Sequence, residues 1–140
     1  MSALDTLIKL NRWQLDEQRR VVTTLETETA ELRAQRQHLD DEAALEQDVA
    51  KDNHEAAYAY SGYARVLILR RAALDQAIAE SEERLLAARA VLADAFAEVK
   101  RYEIAAANRR SAEHRRLDRI EQQQLDDVAI ESYRRKDSAG

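Results

Sequence analysis

Apolar residues recur along this chain in alternating steps of four and three, the spacing that lays a stripe down one side of an α-helix. In the first half the stripe runs through Leu4, Ile8, Asn11, Leu15, Gln18, Val22, Leu25, Thr29, Leu32, Arg36, Leu39 and Ala43. Its polar members weaken a seam but fix its register. Past Ala43 the strict heptad slips: the bulky residues move to Leu45 and Val49, and small alanines (Ala50, Ala56, Ala57, Ala59) take over. The second half is more regular, through Leu67, Arg71, Leu74, Ile78, Ser81, Leu85, Ala88, Leu92, Ala95, Val99, Tyr102 and Ala106. There, large residues alternate with small ones, which lets a facing helix interdigitate.

Two stripes of similar length need a reversal between them. Proline is absent and Gly62 is the only internal glycine, so Ser61-Gly62, flanked by Tyr58, Tyr60 and Tyr63, is where the backbone is expected to turn. The predicted fold is all-α: a single long antiparallel two-helix coiled-coil hairpin spanning 1–140. Helix 1 is placed at about 3–58, the turn near Ser61-Gly62 at about 59–65, helix 2 at about 66–135 and a disordered tail at 137–140. An uninterrupted helix pairing with a second chain is the alternative, since one glycine inside a helix costs only about 1 kcal/mol. Arms of this length make a thin rod of roughly 80 Å. With the turn at Gly62, Ala3 faces Glu121, and helix 2 runs on past the N-terminus as an unpaired overhang over 122–140.

Composition agrees with helix pairing. Charged residues make up 35% and aromatics 5% of the 140 residues, the balance of a coiled coil and not of a layered globule. Cysteine is absent, which excludes a disulfide framework and thiolate metal sites. No apolar run is long enough for a membrane span and the N-terminus lacks a signal-peptide pattern, so a cytoplasmic protein is expected. The net charge of −5 argues against nucleic acid as the main partner.

Both termini carry more apolar surface than a hairpin can use. Leu10 and Trp13 lie away from the first seam with Leu7 at its edge, and the overhang bears Leu125, Val128 and Ile130 behind Leu117 and Ile120. Either the overhang folds back over Leu10 and Trp13 as a third helical contact, or these residues form a partner-binding surface. Charge separates as well. Residues 26–55 hold ten acids and three bases, whereas residues 99–119 hold three acids and seven bases, Lys100, Arg101, Arg109, Arg110, Arg115, Arg116 and Arg119. A patch of arginine beside exposed apolar residues implies a partner of opposite charge.

The sequences closest to catalytic or ligand motifs each lack a required residue or spacing. His54-Glu55-Ala56-Ala57-Tyr58 opens like a helical zinc-protease motif, but Tyr58 stands where the second histidine is needed. Asp40-Asp41-Glu42 and Asp126-Asp127 lack the spacing of a calcium loop. No phosphate-binding glycine loop is present, and a thin two-helix structure offers little concavity for a substrate. No catalytic residue, cofactor or metal is expected.

Three stretches together resemble a known family. Leu4-x-x-Leu7-x-x-Leu10-x-Arg12-Trp13 looks like its opening, Lys100-x-x-Glu103 followed by Arg109-Arg110 like the middle of its second helix, and Glu121-x-x-x-Leu125-Asp126-Asp127-Val128-Ala129 with Arg134-Arg135 like its closing segment. The family is that of the FliJ-type proteins of bacterial flagellar export, related to the stalk proteins of type III secretion. The resemblance implies an antiparallel coiled coil, similar to the γ stalk of rotary ATPases, that inserts into the hexameric flagellar export ATPase, promotes its assembly and links it to the export gate protein and to export chaperones. On that basis the ATPase contact is assigned to Leu7, Leu10, Trp13, Arg109, Arg110, Arg116, Leu125, Val128 and Ile130. Gate or chaperone contacts are assigned to Leu67, Arg70 and Leu74. A non-enzymatic protein, peripheral to the inner membrane through its partners only, is the expectation. A general cytoplasmic coiled-coil scaffold or dimerisation module is the alternative, and nucleic-acid binding through the arginine patch a third.

Overall fold

The computed structural model describes residues 2–139. Two helices pack against each other as a hairpin, α1 over Ala3–Lys51 and α2 over His54–Ala139. The chain divides into two units, each built from both helices: Met1–Arg12 with Ala97–Gly140, and Trp13–Phe96.

In the Trp13–Phe96 unit the core is the predicted seam. Val22 packs with Leu85 and Ala88, flanked by Leu25 and Leu92. Toward the turn, Leu39, Ala43 and Leu67 form a second cluster, covered by Tyr63 and Leu74. Between the clusters the seam is polar. Thr29, 1% exposed, meets Ser81 at 2.5 Å. Its hydroxyl donates to the Leu25 carbonyl at 2.7 Å, so Ser81 supplies the proton of the shared bond. A buried hydroxyl pair satisfied in this way stabilises only when the two residues face each other, and so it selects one register over its neighbours.

A charged layer adds to this. Arg36 reaches Asp75 at 2.8 Å and Asp40 at 2.6 Å, and Arg71 bonds Asp40 at 2.9 Å. The hydrogen bond from Arg36, supported by Arg71, holds the Asp40 carboxyl below the usual carboxylate range. The hydrogen bonds to Asp75 and Asp40 raise Arg36 in turn. Both arginines occupy seam positions, where their stems pack and their charged ends leave sideways toward water.

The turn is not where the glycine predicts it. α1 stops at Lys51 and α2 starts at His54, with Asp52 and Asn53 between them. Asn53 caps α2: its Oδ1 accepts from the Glu55 N–H at 3.0 Å, and its carbonyl accepts from the Ala57 N–H at 2.9 Å. The Asp52 N–H donates to the Val49 carbonyl at 3.3 Å, closing the last turn of α1. Among the described residues no φ is positive, so this reversal needs no glycine. It needs an N-cap, which asparagine supplies.

Gly62 accordingly lies inside α2, and helix 1 ends well short of Tyr58. Helix 2 runs through Asp137, Ser138 and Ala139, where a disordered tail was expected. The Ser138 hydroxyl donates to the Arg134 carbonyl at 2.9 Å, and Gly140 lies outside the described residues. A Cβ added at Gly62 would meet nothing within 4 Å. Gly62→Ala is therefore expected to stabilise the chain by about 1 kcal/mol, read as a rise in denaturant midpoint. A loss of stability would mean that the position bends or turns after all.

Moving the reversal changes the register. With Thr29 opposite Ser81 and Arg12 opposite Glu103, the pairing is centred at about residue 56 and not at 62. Helix 1 thus runs out opposite about residue 108, and the unpaired part of α2 is far longer than the expected 122–140.

Candidate partner-binding surface

The unit formed by Met1–Arg12 and Ala97–Gly140 contains the start of α1 and the C-terminal half of α2. Ser2 caps α1 by a reciprocal box. Its Oγ accepts from the Asp5 N–H at 3.2 Å, and its own N–H donates to Asp5 Oδ2 at 3.2 Å. These bonds, backbone first, lower the Asp5 carboxyl, and Arg110 acts in the same direction.

Two turns further along, Arg12 pairs with Glu103 at 3.1 Å, and Lys100 lies 3.4 Å from the other oxygen of that carboxylate. The Arg12 hydrogen bond is the main cause of the lowered Glu103 carboxyl. Open grooves of about 290 to 610 Å³ recur at several places along the surface. One of those in this unit, about 610 Å³, is lined by Asp5, Ile8, Lys9, Arg12, Glu103, Ala106, Ala107 and Arg110. Ile8 and Val99 are buried here, and Ala106 is the last half-buried residue of α2.

Every described residue from Ala107 onward is exposed. The helix continues because its residues are good helix formers tied by local pairs. Glu113 with Arg116 at 2.7 Å and Glu131 with Arg135 at 3.1 Å are examples. Leu117, Ile120, Leu125, Val128, Ile130 and Tyr133 all stand in solvent. Among the described residues no second reversal occurs, so the alternative in which the overhang folds back over Leu10 and Trp13 is not found.

The structure brings only part of the expected set together. Leu7, Leu10, Arg109 and Arg110 lie where α1 begins, and Arg116 is more than a turn beyond. Leu125, Val128 and Ile130 stand fifteen to twenty residues past Arg110, roughly 22 to 30 Å along the helix. Leu125 and Val128 share a side of α2, whereas Ile130 projects from the opposite side with Tyr133. Trp13 belongs to the other unit and is 61% exposed.

At the turn end, two of the three expected gate or chaperone residues point inward. Leu67 is in the Leu39–Ala43 cluster and Leu74 packs on it. Arg70 lines a groove with Gln35, His38, Leu39 and Glu42. The exposed apolar residues there are Ile68 and Leu69. The seam periodicity already places Leu67 and Leu74 inside and Ile68 and Leu69 outside, and it was the better guide.

An antiparallel helical hairpin whose second helix outruns its partner, with arginine and apolar residues on the surplus, places this chain among the long all-α hairpin proteins. The model of the flagellar FliJ protein family matches residues 1–138, and the chain belongs to that family, a component of the flagellar export apparatus. Neither the curated proteins nor the solved structures yield a match to this chain. Among the described residues no helix is long and apolar enough to cross a membrane.

Proposed function

We propose that this chain is the non-enzymatic stalk of the flagellar export ATPase. In this reading it acts in the cytoplasm and is peripheral to the inner membrane through its partners. The unpaired part of α2 carries the proposal: five arginines over 109–119, then Leu125 and Val128, on a helix with no protein against it. A hexameric ring offers a central opening that a two-helix hairpin can enter end first. The exposed arginines would meet acidic groups lining it and the leucines its apolar ones. Leu7, Leu10, Trp13, Arg109, Arg110, Arg116, Leu125, Val128 and Ile130 are the proposed ATPase contacts, with Arg109, Arg110 and Leu125 central. Contacts with the export gate protein and export chaperones belong at the turn end, on Ile68, Leu69 and Arg70.

Mixing the chain with the export ATPase of the same organism tests this. The expected result, by light scattering and ATP turnover, is one chain per hexamer with raised turnover, lost in Leu125→Asp and reduced in Trp13→Ala. A folded chain that neither joins nor activates the ATPase would favour a general coiled-coil scaffold.

A further inference from the structure

The exposed stripe on the surplus helix is not randomly placed. Leu117 lies eighteen residues, five full turns, after Val99, so it points the same way as that buried seam residue. Ile120, Leu125 and Val128 fall within roughly 140° of arc around it. The apolar side of residues 117–128 thus continues the seam that α1 covers up to Ser2. It is a coiled-coil seam whose second strand has run out.

Charge indicates what can supply that strand. Residues 109–119 carry five arginines against Glu113 and Asp118, while residues 120–131 carry Glu121, Asp126, Asp127 and Glu131 with no lysine or arginine. A copy of the segment laid alongside in the same direction puts arginine against arginine and acid against acid. Reversed about Glu121 and Gln122, it brings Arg115, Arg116 and Arg119 alongside the Asp126-Asp127 pair, with Arg109 opposite Arg134 only at the far edge. In that arrangement Leu117 sits between Leu125 and Val128 of the other copy. Arg116 faces the other Asp127, and Glu113 comes within one residue of Glu131 at the outer edge. Among the described residues Asp127 makes no ion pair of its own.

We propose that residues 113 to about 131 of α2 form an antiparallel pair with the same segment of a second copy of this chain. The hairpin seam thereby extends into a symmetric dimer. The contact is small, so it forms reversibly at elevated concentration. It covers Leu125 and Val128, so dimer formation and the ATPase docking proposed above exclude each other. The inference does not depend on that docking and is tested without the ATPase.

The test uses the full chain. Light scattering over a concentration series should show the mass rising from 16.0 kDa toward twice that value. Leu117→Asp and Val128→Asp alter exposed residues, so they should keep full helicity yet remain monomeric throughout. Arg116→Asp should weaken the dimer roughly threefold, and adding Asp127→Arg should restore it.

Because the chain has no cysteine, single introduced thiols report direction. Glu121→Cys, beside the two-fold axis, should form a disulfide-linked dimer under mild oxidation, and Glu113→Cys should not. Glu113→Cys mixed with Glu131→Cys should link. A chain that stays monomeric at every concentration, a dimer indifferent to Leu117→Asp and Val128→Asp, or self-linking by Glu113→Cys but not Glu121→Cys would each overturn the proposal.

Discussion

A chain ended at Asn108 is expected to melt like the full chain and to leave the export ATPase at its basal turnover. The physical reason is a separation of burial from binding along one helix. Among the described residues all seam burial lies at or before Ala106, and everything after it is solvated. Removing 109–140 therefore takes away no packed side chain. It does remove five arginines and the apolar stripe from Leu117 to Val128. Matched denaturation curves and a turnover assay with the ATPase in hand check both halves. Full activation by the shortened chain would place the docking surface on the hairpin itself.

The converse substitution is Leu85→Ala. Leu85 is packed between Val22 and Ala88 with Leu25 and Leu92 alongside. Deleting a buried leucine side chain costs the transfer energy of its carbons plus the cavity it leaves. In a two-helix seam open to water on both sides, the lower part of the usual range applies, about 2 to 3 kcal/mol. For a chain this long that corresponds to a fall in Tm of roughly 10 °C. Circular dichroism melts check this. An unchanged Tm would mean that the Val22–Leu85 contact is not formed and that the helices pair in another register.

Much of this was legible in the sequence. Each of the twelve stripe positions named in either half is buried or half-buried, down to the polar ones. Asn11, Gln18, Thr29, Arg36, Arg71 and Ser81 hold the places that the four-three rhythm gives them. Side-chain periodicity is a local property of a helix, so it survives without knowledge of the partner. The turn was not read correctly, for an identifiable reason. Gly62 drew attention because reversals often use positive φ, but a helix can also restart from a capped end. Asn53, two residues ahead of Glu55, is such a signal, and it follows the slip at Leu45 and Val49, both exposed.

The misplaced turn carried into the candidate site. A centre at residue 62 sets Leu125 just beyond the N-terminus, close to Leu10 and the arginines. A centre near 56 strings the same residues along an unpaired helix. Ile130 was grouped with Leu125 and Val128 by proximity in sequence, whereas helical geometry turns it to the other side. The terminal apolar excess and the arginine cluster were both visible in the sequence. What the structure adds is that they share one solvated segment.

Residues 108–139 form a helix with no protein packed against it, and in the proposed complex the ATPase covers it. Hydrogen exchange resolved by peptide measures this directly. In the free chain, at a concentration below dimer formation, amides of 108–139 should exchange much faster than those of the seam around Val22, Leu85 and Leu39. Adding the ATPase should slow them strongly and leave the region around Asn53 unchanged. Slow exchange of 108–139 in the free chain, or protection confined to the Asn53 end, would contradict the account.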